Sequence, residues 1–149
     1  MNTPEQCYIH HANEHKQQIE QKVLEKFNAD PDSILGTYYQ VNPELNSPEL
    51  NLNTSCNEMD RKIITRYRTG CHKLKIQTGR LAGDGRDTRL CTCGEDIQTL
   101  NHVLFSCNLT EGIRTVQSLS ATNLNDFFKD TEITQVATIL RAVSKQLKI

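Results

Sequence analysis

The sequence predicts a small, mainly α fold, an irregular helical domain held together by a Cys-Cys-His-Cys segment. Three observations lead there. Apolar residues recur at helical spacing in well separated stretches, two of them opened by capping residues. Only 36% of the 149 residues are hydrophobic, with no Trp and a mean hydropathy of −0.57, so the single modest core that such a length allows must be thin or locally reinforced. Finally, Cys91, Cys93, His102 and Cys107 fall close together between a basic stretch and the last apolar helices.

The first helix begins at Thr3-Pro4-Glu5-Gln6, which combines an N-cap, a proline at the first helical position and a capping-box Gln. Ala12, Ile19, Val23 and Phe27 give it a weak apolar face up to about Phe27. Asn28 to Ser55 contains three of the four prolines and many Asn, Asp and Ser residues, which is loop composition, with Gly36 to Val41 as a short strand. A second helix starts from Asn57 as N-cap, carries Met59, Ile63, Ile64 and Tyr67 on one face, and ends near Gly70. Gly79, Gly83 and Gly85 then punctuate a flexible basic connector into Cys91. Leu100 to Ser106 and Glu111 to Leu119 read as short helices. Thr131 to Leu147 reads as a longer closing one, with Ile133, Val136, Ala137, Leu140 and Val143 as its apolar positions. The chain therefore divides into residues 1–56, an acidic helix plus loop, and residues 57–149, comprising the basic helix, the cysteine segment and the C-terminal helices.

A net charge of −1 conceals strong segregation. Residues 1–60 hold three Lys/Arg against ten Asp/Glu, residues 61–89 nine against two. The middle third is thus a concentrated basic stretch, Arg61, Lys62, Arg66, Arg68, Lys73, Lys75, Arg80, Arg86 and Arg89, of the kind that meets polyanions. Its alternative reading is a solvated helix face followed by a linker. Tyr67 is the one aromatic within it, so no stacking row is present and base recognition is expected to be weak.

The N-terminal stretch is polar from the start and shows no apolar signal region, and no run approaches the roughly 18 apolar residues of a spanning helix. The expectation is an intracellular chain, nuclear or cytoplasmic, not secreted and not in a membrane. Clustered cysteines in a reducing compartment point to metal rather than disulfides. In Cys91-x-Cys93-x8-His102-x4-Cys107, two thiolates on a tight turn at Gly94 and a helix-borne His and Cys surround one zinc ion. Four protein ligands leave no open position, so the predicted zinc is structural. The alternative for these four is buried free thiols beside an unrelated histidine, whereas Cys7, Cys56 and Cys71 lie outside the pattern and read as ordinary thiols in or near packed surfaces. His72 reads as a cap or loop histidine, and His10, His11 and His15 as surface histidines that also have the spacing to hold a metal.

Arg66-Tyr-Arg-Thr-Gly-Cys-His72, Gly79-Arg80, Cys91-Thr-Cys-Gly94 and His102-Val-Leu-Phe-Ser-Cys107 together resemble the C-terminal tail of non-LTR retrotransposon polyproteins. There an arginine-rich RxRTGH helix precedes a CxCG…HxLxxC zinc segment, after the reverse transcriptase and sometimes an RNase H domain. Asn123 to Lys129 with the helix beyond is similar to the family's ending, and Tyr39 to Pro43 to the segment upstream. Cys71 departs from the pattern, placing His72 one position late. No YADD-type polymerase motif and no recognisable RNase H acids occur, so the resemblance implies a detached, non-catalytic tail that binds RNA or other single-stranded nucleic acid. A second class of function is a protein-interaction module in which zinc only staples the fold and the acidic and C-terminal helices dock on a partner.

Overall fold

A computed structural model describes residues 3–45 and 56–149, and the described residues form a helical assembly without named strands. Helix α1 (Pro4–Ala29) opens on the predicted capping box. The Gln6 amide donates to Thr3 Oγ1 (3.3 Å) and the Thr3 amide to Gln6 Oε1 (2.8 Å). Along α1 only Val23 is buried, and the Phe27 ring leans on Tyr39 with centroids 5.0 Å apart. From Pro4 to Ile19 every residue is exposed.

The predicted strand at Gly36 to Val41 is instead helix α2 (Ile34–Val41). Thr37, Tyr38, Tyr39 and Val41 favour strands in isolation. Ser33, however, accepts the Gly36 amide at 2.9 Å and caps a helix, and α2 packs against α1, α3 and α6. Gly36 sits so close to the preceding turn that a Cβ would lie 2.5 Å from the Pro31 carbonyl oxygen. The remainder of the predicted loop, residues 46–55, lies outside the described residues.

Helix α3 (Glu58–Arg68) starts at the predicted cap, with the Asp60 amide donating to Asn57 Oδ1 at 2.9 Å. It ends in a Schellman motif: Gly70 takes φ +71°, the Cys71 amide reaches the Arg66 carbonyl (2.9 Å) and the Gly70 amide that of Tyr67 (3.3 Å). Ile64 and Tyr67 are buried as expected, but Met59 is 69% exposed. Asp60 faces inward in its place and forms an ion pair with Arg141. Tyr67 Oη and Ser144 Oγ, 2.6 Å apart, make a second bond between α3 and the closing helix.

The glycine-rich connector is largely helical, which corrects the expectation of a flexible link. Helix α4 (Lys75–Ala82) carries Gly79 in its buried face. The Arg89 side chain lies across that glycine, where a Cβ would come within 2.7 Å of Cγ. The guanidinium donates to the carbonyls of Ile76 and Asp84, each at 3.2 Å. Gly79 thus provides a seat for an arginine instead of a hinge.

Helices α5 (Glu111–Val116), α6 (Leu124–Asp130) and α7 (Ile133–Leu147) complete the order. The core centres on α7, whose Val136, Ala137, Ile139, Leu140, Val143 and Leu147 are buried. Phe127 of α6 is fully enclosed between Phe105 and Phe128. Cys91, Leu100, Val103, Leu104 and Cys107 belong to the same buried cluster, so the cysteine segment is a wall of the core and not an appendage.

Candidate metal centre

Two short pieces of chain bring the four predicted ligands together. In the first, Gly94 adopts φ +80° and its amide donates to the Cys91 carbonyl at 2.9 Å, so the chain doubles back directly after Cys93. Leu90 and Ile97 pair across this knuckle, and the Cys91 amide donates to the Asp96 carbonyl at 2.8 Å. The second piece starts at Thr99, whose Oγ1 accepts the His102 amide at 3.1 Å, and continues as a π-helical turn over His102–Ser106. Five residues of α-helix would rotate Cys107 about 140° away from His102. The wider turn, closed by the Cys107 amide on the His102 carbonyl at 2.8 Å, brings both side chains toward one point.

All four ligand atoms lie within 4.8 Å of one another. Cys91 and Cys107 Sγ are 3.8 Å apart, far beyond a disulfide bond, and Cys93 Sγ is 3.2 Å from His102 Nε2. Cys91, His102 and Cys107 are buried and Cys93 half-buried. This arrangement is close enough to hold one metal ion. Burial pushes the Cys107 thiol up to about 11, and the neighbouring Cys91 and Cys93 sulfurs add to that rise. At Cys91 burial also opposes ionisation, but hydrogen bonds from the Cys93 amide and thiol, Gln98 and Cys107 outweigh it and lower the thiol below its ordinary value. Three crowded sulfurs cannot all carry charge by themselves, and a cation bound among them would allow them to.

Against models of known protein families the chain has no match. Searches of curated protein sequences and of solved structures likewise find none.

Three supporting residues carry little or no signal in the sequence. Gln98, 1% exposed, donates to Cys91 Sγ at 3.8 Å and accepts the Lys75 amide at 2.9 Å, tying the centre to the start of α4. Thr110, fully buried, donates to the carbonyls of Val103 (2.6 Å) and Cys107 (3.2 Å), satisfying groups around the π turn. Thr99 is the third, and only it has a sequence signal, a capping residue just before an apolar run.

The basic residues divide into two groups. Arg80 pairs with Asp30 at 2.9 Å and donates to the Asp32 carbonyl at 3.2 Å, while Arg86 Nε reaches the Asp32 carboxylate at 3.1 Å. With Arg89 lying over α4, these three are engaged by the fold. Arg61 donates to the Cys56 carbonyl at 3.5 Å, Lys62 pairs with Glu58 one turn away at 2.7 Å, and Arg68 lies 6.0 Å over the Phe128 ring. Arg66, Lys73 and Lys75 are exposed. A groove of about 470 Å³ runs along α3, lined by Arg61, Lys62, Thr65, Arg66 and Thr69 among others.

Of the other cysteines, Cys7 and Cys71 are exposed and Cys56 is buried. His72 is buried against Tyr67, with ring centroids 5.3 Å apart. Its Nδ1 accepts the Leu74 amide at 3.3 Å at the entry to α4. No described helix is long and apolar enough to cross a membrane.

Proposed function

We propose that Cys91, Cys93, His102 and Cys107 hold one structural zinc ion, and that the chain is a non-catalytic nucleic-acid-binding module like the retroelement tail its motifs resemble. For zinc the support is the donor set and its spacing. Zn–S bonds of about 2.3 Å in a tetrahedron separate two sulfurs by about 3.8 Å, the separation found between Cys91 and Cys107. Three thiolates and an imidazole suit this ion and exclude hard cations such as Mg²⁺. The ion supplies a fixed positive centre that holds the knuckle to the π turn, and Gln98 and Thr99 orient the ligands around it.

For nucleic acid, the carrying observation is that α3 buries Ile64 and Tyr67 against the core while leaving Lys62 and Arg66 exposed on a groove. Lys73 and Lys75 are exposed just beyond the end of that helix. Such a surface meets phosphates, which position a strand without reading its bases. Because Arg80, Arg86 and Arg89 are engaged internally, only about three or four contacts are available. On single strands that gives a log-log salt slope of roughly −2 to −3.

Fluorescence anisotropy with labelled RNA and single-stranded DNA across a salt series tests this. Arg66→Glu combined with Lys62→Glu is expected to weaken binding to all oligonucleotides alike. Wild-type chain that does not bind at low salt would overturn the reading. The interaction-module alternative would then rest on α1, the helix whose first half is exposed throughout, since the apolar face of α7 is consumed by the core.

A further inference from the structure

A second cluster of metal-ligand side chains lies far along the chain from the cysteine centre, on the exposed half of α1. His10 and Glu14 are one helical turn apart, and so are His11 and Glu14. Both imidazoles turn the same nitrogen toward the same carboxylate oxygen. His10 Nδ1 is 3.3 Å and His11 Nδ1 3.5 Å from Glu14 Oε2, and the three ligand atoms lie within 4.8 Å of one another. The carboxylate oxygen is thus shared by two imidazoles standing edge to face, with centroids 6.0 Å apart.

The two imidazole–carboxylate distances fit a cation held between a histidine and Glu14. Bonds of about 2.0–2.2 Å to N and O donors place neighbouring donors of a tetrahedron about 3.3–3.6 Å apart. Two imidazoles and a carboxylate form the donor set of an open site, in which water completes the shell, and nitrogen donors select first-row transition ions over Mg²⁺ or Ca²⁺. His15 lies a further turn beyond His11 and is exposed, outside the three-residue group. The setting gives such a site a physical consequence. Every residue from Pro4 to Ile19 is exposed, so among the described residues little tertiary packing supports this stretch, and helices of that length are marginal without it. A metal that clips one turn to the next would supply the missing support.

We infer that His10, His11 and Glu14 form a second, solvent-open site for a divalent first-row transition ion, one that stiffens the projecting half of α1. It is weaker than the cysteine centre, having three ligands in place of four and no thiolate. The test is a zinc titration of the untagged full chain already carrying one equivalent, followed by calorimetry and by far-UV circular dichroism. The expected result is a second equivalent accompanied by a rise in helicity. His10→Ala with His11→Ala should abolish that equivalent. Glu14→Gln should weaken it at least about ten-fold, the scale on which even residues supporting metal ligands act. Because alanine is the strongest helix former, loss of binding in the double variant cannot come from loss of the helix. Cys93→Ser, which strikes the other centre, should leave the His10/His11 equivalent in place. A titration that stops at one equivalent overturns the inference, and so does a second equivalent that survives His10→Ala/His11→Ala.

Discussion

Closed off from water beside Tyr67, the His72 ring stays neutral in the folded chain, because burial lowers its pKa to about 4 against an ordinary 6.5. The unfolded chain therefore takes up a proton first as pH falls. The stability that His72 contributes is complete above about pH 6.5 and is lost as pH drops toward 4. Between pH 7 and 5 this amounts to roughly 2 kcal/mol. Denaturant unfolding at the two pH values, with zinc in excess, should show at least that slope in the wild type, since proton competition at the thiolates adds to it. It should be reduced in His72→Asn, which keeps an acceptor for the Leu74 amide, and equal slopes in the two proteins would count against this assignment. Gly36 makes a conformational prediction at the same scale. Its missing Cβ would sit 2.5 Å from the Pro31 carbonyl oxygen and 2.6 Å from that of Asp30, both backbone atoms that cannot swing aside. Gly36→Ala should cost about 1–3 kcal/mol as an overpacking change, despite the better helix propensity of alanine.

At the scale of elements, caps are the most legible feature. Thr3 with Gln6, and Asn57 by itself, mark their helices from sequence alone, because a cap needs only residues within one turn. Helix α6 has no counterpart among the expected helices, and two further elements differ from their expected form, in both of which the deciding partner is distant. Residues 36–41 carry strand-favouring side chains, yet α1 and α6 pack them as a helix. Gly79 looks like a hinge until Arg89, ten positions later, is seen lying over it. The π turn cannot be read from periodicity, although the ligand spacing it serves can. Asp30 and Asp32 fasten the α1–α2 turn to α4 through Arg80 and to the turn after α4 through Arg86, pairs that are exposed enough to contribute about 1 kcal/mol or less each. Asp30→Asn with Asp32→Asn should therefore lower stability only slightly. If phosphate binding holds, it should also unpair the charges of Arg86 and, in part, of Arg80, which keeps its bond to the Asp32 carbonyl, and make the salt slope measurably steeper. An unchanged slope would show that Arg80 and Arg86 lie off the binding surface.

For the whole molecule, the thin core foreseen from composition is closed on one side by the cysteine segment. Cys91, Cys107, Leu100, Val103 and Leu104 share a cluster with Phe127 and the buried face of α7. The ligand quartet is legible because four metal-binding residue types in one short stretch have few other uses. The basic surface is legible only in part: spacing gives the charges, but which of them the fold keeps for itself depends on the Asp30 and Asp32 carboxylates and the backbone carbonyls of Asp32, Ile76 and Asp84. Since the four residues are dispersed in the unfolded chain, a metal held by them in the fold would contribute directly to the folding free energy. The measurement that tests this most directly is the metal content of the untagged chain, purified without chelator, together with its thermal unfolding before and after chelation. One zinc per chain is expected at the cysteine centre, with chelation lowering the melting temperature, and with Cys93→Ser and His102→Ala reproducing that loss while Cys7→Ser does not. Protein that carries no stoichiometric metal, or that melts identically with chelator present, would contradict the account.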